Sequence, residues 1–399
     1  MDMQDCEISC ISFFMKDIFL DSKRIKKGDL FISLKGNNDD GINHLDEVRL
    51  KGGELLYSDN FSYNYLPNLK ENLNKILIRH YNVKLSFKII GITGTNKKTT
   101  TAFYLNSALN KYGYKTKCIS TIKGKDFYYS SLTTPRNDDL IRILKDAEKE
   151  KLDYLIMEVS SIGFKEERVS DLPFFLGVLT SLESDHLDYH KSIFNYHLSK
   201  IEFIEKCENK VIGINKNYLD FLKEILSIFL EENAVIEYVS NLPQVPGREE
   251  IININPLIIV DYAHTSSALE YVLTKYKKIV KGKLITLLGA GGNRDKTKRK
   301  VYGELVKKYS DISILTSDNS RNENPIDIIN DISEDSSNLT KIKDREEAIK
   351  YGISLLEKDD IFLVLGKGDE DYIEVNNKKI PFKDKNIILK YLSLKRTSL

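Results

Sequence analysis

One segment restricts the possible folds of this chain more than any other. It runs from Gly91 to Thr101 and reads Gly-Ile-Thr-Gly-Thr-Asn-Lys-Lys-Thr-Thr-Thr, between the β-branched run Phe87–Ile92 and a helical pattern over Thr99–Lys111. A glycine-containing loop that joins a strand to a helix and ends in Lys-Thr is typical of a P-loop, whose backbone N–H groups bind phosphate oxygens. The segment predicts an α/β fold with a nucleoside-triphosphate site; a Thr-rich turn without a ligand is the alternative.

The residue types of this loop predict individual roles. The expected nucleotide-binding residues are Gly94, Thr95, Asn96, Lys97, Lys98, Thr99 and Thr100. Lys98 is placed to reach the terminal phosphates of ATP, and the Thr99 hydroxyl to bind Mg²⁺. Lys97 stands where P-loops normally carry glycine, and a lysine costs about 1–2 kcal/mol there if the position requires a positive φ. Glu158 follows the apolar run Leu152–Met157, and we expect this strand-end carboxylate to help hold the metal.

Apolar runs and helical patterns continue to alternate along the chain. Phe174–Leu179 is a third strand run, and the Pro/Gly-punctuated stretch Asn241–Gly247 has the composition of an interdomain linker. A second series follows, with strand runs at Leu257–Val260, Leu284–Leu288, Ile312–Leu315 and Ile361–Leu365 and helical patterns at Lys298–Tyr309 and Glu346–Leu356. This order predicts a second doubly wound α/β domain, and three domains in all, at residues 1–86, 87–247 and 248–399.

Polar turns follow the predicted strands, as expected for the rim of a binding pocket. They are Asp185–His190, Asp261–Thr265, Gly289–Lys296, Thr316–Arg321 and Gly366–Glu370. The glycine turn lacks the spacing of a dinucleotide fingerprint, so an oxidoreductase is disfavoured, and its Arg294 suits a phosphate group better. Each turn taken alone could be an ordinary Asx or glycine turn. Together the last four of these turns, all in the second predicted domain, predict one pocket at the carboxyl ends of its strands.

Composition excludes several classes of protein. The formal net charge is +1 and no long run of one sign occurs, which argues against a nucleic-acid partner. No apolar run approaches the roughly 20 residues of a membrane span, and the first ten residues have the wrong charge for a secretory signal. We therefore expect a cytoplasmic protein. The cysteines show no zinc-type pairing and are expected to be thiols: Cys6, Cys10, Cys118 and Cys207.

The order of these motifs resembles that of the Mur ligases, and most closely the MurE branch. The resemblance runs from near Leu20 to near Leu392. Besides the motifs above it includes Leu20–Arg24, Lys27–Phe31, Thr133–Pro135, Met157–Ser161 and Pro246–Arg248. It implies the three-domain Mur ligase architecture: an N-terminal UDP-sugar-binding domain, a shortened P-loop domain that binds ATP, and a Rossmann-like C-terminal domain.

The resemblance also implies a reaction in peptidoglycan precursor synthesis. ATP would phosphorylate the carboxylate of UDP-MurNAc-L-Ala-D-Glu, and the amine of an amino acid would attack the acyl phosphate to give an amide, ADP and phosphate. Mg²⁺ and lysines would offset the charge where a carboxylate approaches a triphosphate. The family is usually monomeric, so no partner beyond the UDP-MurNAc-dipeptide and the amino acid is expected.

Motif by motif, the resemblance implies roles for individual residues. The implied catalytic and metal-binding residues are Lys98, Thr99, Glu158, His186 and Lys200, the last standing where the family carries a carbamylated lysine. His264 and Arg294 would contact the nucleotide. The positions that would bind the UDP-sugar peptide are Ser22, Thr133, Thr134, Ser160 and Arg168.

The amino-acid substrate is implied by a second set of positions. Asp318-Asn319-Ser320-Arg321 resembles the Asp-Asn-Pro-Arg motif of ligases that add meso-diaminopimelate. Arg321 would hold the distal carboxylate, which lysine lacks, and Gly366 and Glu370 would hold the distal ammonium. We therefore expect meso-diaminopimelate rather than lysine.

The chain departs from the family pattern at several positions. Lys97 replaces a loop glycine, Ser181 an asparagine, Ile162 a histidine and Asp369 a histidine, and the stretch between Lys200 and Pro246 is short and lacks an adenine-binding Gly-x-Phe-Asn-x-x-Asn segment. Three interpretations are open: an active precursor ligase, a Mur-type amide ligase of another pathway, and a degenerate homologue that binds without turnover.

Overall fold

The structure is a computed structural model that describes residues 16–36, 39–333, 339–376 and 378–397. Two compact units are distinguished by their internal contacts. One contains the described residues up to Leu182 together with His197–Ser240, and the other contains Glu183–Tyr196 and the described residues from Asn241 onward. The sequence-based expectations for residues 1–10, including Cys6 and Cys10, lie outside the described residues.

The first unit begins with a small parallel sheet in the order β1-β2-β3. Short β-branched and apolar strands alternate here with helices, as parallel pairing requires. Its elements are β1 (Ile18–Phe19), β2 (Leu30–Ser33), α1 (Leu45–Leu50), β3 (Glu54–Ser58) and α2 (Leu69–Tyr81), with 3₁₀ turns at Ser22–Arg24 and Gly41–His44.

A six-stranded sheet follows, in the order β6-β5-β7-β4-β8-β9, and all of its strand pairs are parallel. The elements along this part of the chain are β4 (Lys88–Thr93), α3 (Lys98–Lys111), β5 (Thr116–Ser120), β6 (Phe127–Tyr129), α4 (Asn137–Lys149), β7 (Tyr154–Glu158), α5 (Ser161–Lys165), β8 (Phe174–Leu179), α6 (Leu187–His190), α7 (Ile193–Glu205), β9 (Asn209–Ile212), α8 (Tyr218–Leu226) and α9 (Glu232–Ser240). Helix α6 and the first turn of α7 are grouped with the second unit.

The register of the central strands places the P-loop. Ile92 of β4 pairs with Glu158 of β7, and Thr93 pairs with Leu179 of β8. The loop that leaves β4 therefore begins between the carboxyl ends of two neighbouring strands, which is where open α/β sheets bind ligands.

One hydrophobic core joins the small sheet to the central sheet. Ile18, Leu73 and Leu77 are fully buried in the same cluster as Ile89 and Leu144. Removing this much apolar surface from water favours a fixed arrangement of the two sheets, at about 25 cal/mol per Å² of apolar surface. The N-terminal segment of the first unit is thus a packed part of that unit.

The second unit contains a six-stranded sheet in the order β10-β11-β15-β12-β13-β14, parallel except for its edge strand β10, and a two-stranded hairpin. Its elements are β10 (Glu250–Ile254), β11 (Leu257–Asp261), α10 (Ser266–Ile279), β12 (Leu284–Leu288), α11 (Thr297–Tyr309), β13 (Ile312–Leu315), α12 (Pro325–Ser333), β14 (Thr340–Lys341), α13 (Arg345–Leu355), β15 (Ile361–Leu365), β16 (Tyr372–Val375), β17 (Lys378–Pro381) and α14 (Asp384–Thr397). Two buried clusters cover its two faces, so the sheet is doubly wound.

The fold class predicted from the sequence is confirmed. Strands β8, β12, β13 and β15 have the predicted bounds, and the other predicted elements are shifted by one or two residues. No helix in the described part of the chain has the length and apolar character needed to cross a bilayer.

Candidate active site

The P-loop has two residues with positive φ. Gly94 has φ 142°, and a Cβ atom built there would lie 2.0 Å from Thr180 Oγ1, so no other residue fits without displacement. Lys97 has φ 65° and ψ 7° and immediately precedes helix α3. The condition under which a lysine is costly at this position is therefore met.

The two residues that follow strand β8, Thr180 and Ser181, hold the P-loop by hydrogen bonds. Thr95 N donates to Ser181 O at 3.1 Å, and Asn96 N donates to Ser181 Oγ at 3.0 Å. Thr180 Oγ1 donates to Asn96 O at 2.6 Å. Ser181, which departs from the family asparagine, thus fixes the loop through both its backbone and its side chain.

Lys98, Thr99 and Glu158 form a compact group at the start of α3. Lys98 Nζ donates to Gly94 O at 2.9 Å and Thr95 O at 3.0 Å. Thr99 Oγ1 donates to Glu158 Oε2 at 3.0 Å, and both of these side chains are buried. The structure thus brings together the lysine, hydroxyl and carboxylate that the sequence predicted.

The Thr99 and Glu158 oxygens suit Mg²⁺. This ion binds oxygen ligands octahedrally at about 2.0–2.1 Å, so two adjacent ligands are about 2.9 Å apart. Mg²⁺ also usually takes only one or two protein ligands, with water and phosphate supplying the others. Groups of three or more His, Cys, Asp or Glu side chains suited to a metal do not occur among the described residues.

Three of the predicted UDP-sugar-peptide residues are joined by hydrogen bonds. Thr134 Oγ1 lies 3.1 Å from both Glu158 O and Ser160 Oγ, and Ser160 N donates to Thr134 Oγ1 at 2.9 Å. Arg168 Nη1 donates to Thr134 O at 2.8 Å. Thr133 precedes this group and is half-buried. Ser160 follows strand β7 by two residues, and the hydrogen bond from Thr134 attaches the group to the last residue of that strand, Glu158.

Ser22 lies in the small sheet region, apart from that group. It is buried, and its hydroxyl donates to Glu47 Oε2 at 2.8 Å. Its neighbour Asp21 accepts from Arg136 Nη2 at 3.1 Å, and Arg136 follows Thr134 by two residues. The ion pair links the two predicted substrate regions within the first unit.

Lys200 lies on helix α7 and is 1% exposed. Its sequence neighbours three and four positions on, Phe203 and Ile204, are also buried. A lysine at this spacing from apolar residues is on the inward face of a helix, a signal that would have predicted its burial without the family resemblance. Burial of a cation is costly unless it is neutralised or paired.

His186 belongs to the second unit, in a short turn stabilised by its neighbour. It has φ 51° and caps helix α6. Asp185 accepts a hydrogen bond from His186 N at 2.7 Å and forms an ion pair with Lys298. Burial alone would raise the pKa of Asp185, but His186 and Lys298 hold it well below its usual range. The ion pair therefore attaches the His186 turn to helix α11.

The predicted nucleotide contacts of the second unit lie on two exposed turns. His264 is exposed; its Nδ1 lies 2.8 Å from Tyr262 O and its ring 4.5 Å from the ring of Tyr262. Arg294 is exposed in the turn after β12, next to Asn293 at φ 52°. The two turns follow the carboxyl ends of the buried strands β11 and β12, which are separated in the sheet by β15.

The predicted amino-acid residues form one polar cluster at the ends of β13 and β15. Asn319 Nδ2 donates to Glu370 Oε2 at 2.8 Å. Gly366 has φ 104°, and a Cβ there would lie 2.9 Å from Asp318 Oδ2. Arg321 Nη1 donates to Gly292 O at 2.8 Å. The structure thus brings all five predicted residues into one region of the second unit.

Sequence reasoning missed two charged residues of this cluster. Lys367 is fully buried, and its Nζ lies 2.8 Å from Glu370 Oε2. Glu374 Oε2 lies 3.5 Å from Arg321 Nε. Lys367 lies within the polar turn Gly366–Glu370 and was open to prediction, whereas the hairpin of β16 and β17 is what brings Glu374 near Arg321.

Fold and site together define a class: P-loop ligases with a doubly wound second domain. The sequence-family model for the Mur ligase middle domain matches residues 92–239. The family model for the glutamate ligase domain of Mur ligases matches residues 247–368. This chain belongs to the Mur ligase family, whose members form amide bonds with ATP and release ADP.

Among curated relatives, the UDP-N-acetylmuramoyl-L-alanyl-D-glutamate–2,6-diaminopimelate ligase of Clostridium tetani is 32% identical over 459 positions that cover 95% of each chain. Because this chain has only 399 residues, at least 60 of those positions lie opposite gaps in it.

Solved structures share the fold. One of a ligase with that same name is 23% identical with a TM-score of 0.59, covering 95% of each chain. Another, MurF ligase from Thermotoga maritima in complex with ADP, is 15% identical with a TM-score of 0.63, covering 97% of this chain and 99% of that chain.

Proposed function

We propose that this protein ligates a diamino acid, meso-diaminopimelate, to UDP-MurNAc-L-Ala-D-Glu through an acyl phosphate formed from ATP. The observation that carries the proposal is the Thr99–Glu158 pair beside a P-loop lysine. It occurs in a chain that matches, over 95% of its length, a relative whose name states this activity. Peptidoglycan precursor synthesis in the cytoplasm, by a monomer, is part of the same proposal.

The residues of the first unit supply most of the chemistry in this proposal. Lys98 would turn from the loop carbonyls to the terminal phosphates, where its charge offsets the developing negative charge. Thr99 and Glu158 would hold Mg²⁺, which neutralises phosphate charge when bound. Thr134, Ser160 and Arg168 would orient the acid substrate, and Ser22 and Thr133 would contribute to binding its UDP-sugar.

The remaining assignments follow the family resemblance. Lys200, carbamylated, and His186 would serve a second Mg²⁺, and His264 and Arg294 would contact the nucleotide. The amino acid would bind to Asp318, Asn319, Arg321, Gly366 and Glu370. We propose domain boundaries at residues 1–86, 87–247 and 248–399 for these three binding tasks.

Phosphate release with purified substrates tests the function. With ATP, Mg²⁺ and UDP-MurNAc-L-Ala-D-Glu, we expect release that depends on meso-diaminopimelate and yields a UDP-MurNAc-tripeptide by mass spectrometry. Glu158→Gln should reduce turnover by at least about 100-fold, because a metal ligand becomes neutral. Glu150→Gln is the matched control: this carboxylate pairs with Lys117 and precedes the same strand β7.

Three outcomes are separable. Turnover with a different acid but not with the UDP-MurNAc-dipeptide would contradict the substrate and favour a ligase of another pathway. ATP binding without any phosphate release would favour a non-catalytic homologue. Equal loss of activity in Glu158→Gln and Glu150→Gln would contradict the metal assignment.

A further inference from the structure

The backbone of Arg321 is held against strand β16. Its N–H donates to Glu374 O at 3.0 Å, and its carbonyl accepts from Asn376 N at 2.7 Å. Arg321 itself has φ 51°, a conformation that is rarely adopted without such support. The side chain of Arg321 therefore starts from a fixed point beside the side chain of Glu374.

The Arg321 guanidinium is already engaged by groups of this chain. Nη1 donates to Gly292 O at 2.8 Å and to Asn319 O at 3.3 Å, while Nε lies 3.5 Å from Glu374 Oε2. A Cβ on Gly291 would lie 2.9 Å from Nη1, so the glycine leaves room for the guanidinium. The side chains of Arg321 and Glu374 are only 25% and 22% exposed.

The other charges of the cluster are paired separately. Lys367 lies 2.8 Å from Glu370 and 3.8 Å from Asp318. Arg345 forms a fully buried ion pair with Asp384 at 2.7 Å. Burial alone would raise the pKa of Asp318, but Lys367 and Arg345 hold it below its usual value, so the carboxyl is ionised.

Among the five side chains Asp318, Arg321, Lys367, Glu370 and Glu374, the carboxylates outnumber the cations by one. Three carboxylates, Asp318, Glu370 and Glu374, face two cations, Lys367 and Arg321. A substrate side chain that ends in an ammonium alone neutralises the cluster. A side chain that also carries a carboxylate does not, and its carboxylate meets a guanidinium whose nearest carboxylate is Glu374.

We propose that Glu374 is a specificity-determining residue, which competes with a substrate's distal carboxylate for Arg321 and so reduces the preference for a diamino dicarboxylic acid over a diamino monocarboxylic acid. The inference rests on the proposed function, because it takes this cluster as the amino-acid site. Glu374 does not contact the reacting atoms; it acts through Arg321.

The test is the ratio of kcat/KM for meso-diaminopimelate to that for L-lysine. Glu374→Gln preserves both backbone hydrogen bonds and removes the competing charge. Since a partly exposed ion pair is worth up to about 1 kcal/mol, the ratio should rise about fivefold. The control is Glu346→Gln, which removes a carboxylate of the same unit that pairs with Lys390 instead.

Repeating the measurement in an Arg321→Met variant distinguishes competition for Arg321 from a general structural effect of the Glu374 substitution. In Arg321→Met, the guanidinium is absent, so adding Glu374→Gln should leave the ratio unchanged within about twofold. An unchanged or lowered ratio for Glu374→Gln in the natural background would overturn the inference. So would a fivefold rise in the Arg321→Met background.

A direct measurement of amino-acid binding tests the role of Glu374 even if the protein lacks the proposed ligase activity. If neither amino acid supports turnover, the proposed reaction fails, and calorimetric titration of the two amino acids into each protein decides the inference. Tighter binding of meso-diaminopimelate to Glu374→Gln, with lysine binding unchanged or weaker, supports it. Equal binding to both proteins, or no binding of either amino acid, overturns it.

Discussion

Replacing Lys97 by glycine and by alanine separates the backbone strain of the P-loop from the contacts of the lysine side chain. Lys97 has φ 65°. A left-handed conformation costs a residue with a Cβ atom about 1–2 kcal/mol, and only glycine escapes that cost. Alanine retains the strain and removes the side chain, whereas glycine removes both.

The side-chain contact is with Tyr218. Lys97 Nζ lies 4.5 Å from the centre of that ring, and the Tyr218 hydroxyl lies 3.1 Å from Thr101 Oγ1 on helix α3. An exposed contact of this kind is worth about 0.5–1 kcal/mol. Lys97→Ala should therefore lose about 0.5–1 kcal/mol of stability.

Three contributions determine the stability of the Lys97→Gly variant. Relief of strain adds about 1–2 kcal/mol, loss of the Tyr218 contact removes about 0.5–1 kcal/mol, and the greater freedom of glycine in the unfolded chain removes about 0.4–1 kcal/mol. Lys97→Gly should thus be close to neutral and more stable than Lys97→Ala by on the order of 1 kcal/mol. If strain also impairs the loop, Lys97→Gly should raise turnover.

Urea-induced unfolding followed by circular dichroism measures the difference between the variants. A double-mutant cycle of Lys97→Met with Tyr218→Leu isolates the ring contact, with an expected coupling of about 0.5–1 kcal/mol. An alanine variant as stable as the glycine variant would refute the assignment of strain to this residue, whatever the coupling shows.

Two further perturbations have equally direct expectations. Gly94→Ala should abolish ATP binding measured by calorimetry, because the new Cβ would lie 2.0 Å from Thr180 Oγ1. Gly113→Ala is the matched control: Gly113 also has a positive φ, 95°, but a Cβ there meets nothing within 4 Å, so this variant should bind ATP normally. Arg299, by hydrogen bonding, lowers the pKa of Glu323 from 4.5 to about 2, so this carboxylate stabilises the fold above pH 4.5 and that stability is lost as the pH falls toward 2. Glu323→Gln should therefore flatten the fall in Tm over that interval; an unchanged slope would contradict the pairing.

The positions of the strands could be predicted because buried parallel strands are continuous apolar runs. Leu284–Leu288 and Ile361–Leu365 are examples with the predicted bounds. Strand β7 starts two residues later than the apolar run, because Leu152 N donates to Ala147 O and Lys151 has φ 56°, which closes helix α4. Apolar character marks the core but does not distinguish a strand residue from the helix cap before it.

The proximity of Thr99 and Glu158 could be predicted for a related reason. Thr99 and Glu158 are distant in the chain, but Glu158 ends strand β7 and Thr99 follows strand β4, and the pairing of these two parallel strands brings their carboxyl ends together. The Arg321–Glu374 contact has no such rule behind it. It depends on a hairpin whose position is set by tertiary hydrogen bonds, and sequence spacing gives no measure of those.

The two departures from the family pattern at the P-loop are physically connected. Lys97 imposes a strained conformation, and strained residues persist where the surrounding structure fixes them. Ser181 contributes to that fixation, because its Oγ accepts from Asn96 N and its carbonyl from Thr95 N, while Thr180 holds Asn96 O. The loop is thus fixed up to the residue before Lys97. Because Lys98 still lies on the loop and Thr99 is still hydrogen-bonded to Glu158, the lysine substitution alone is not an argument for a degenerate enzyme.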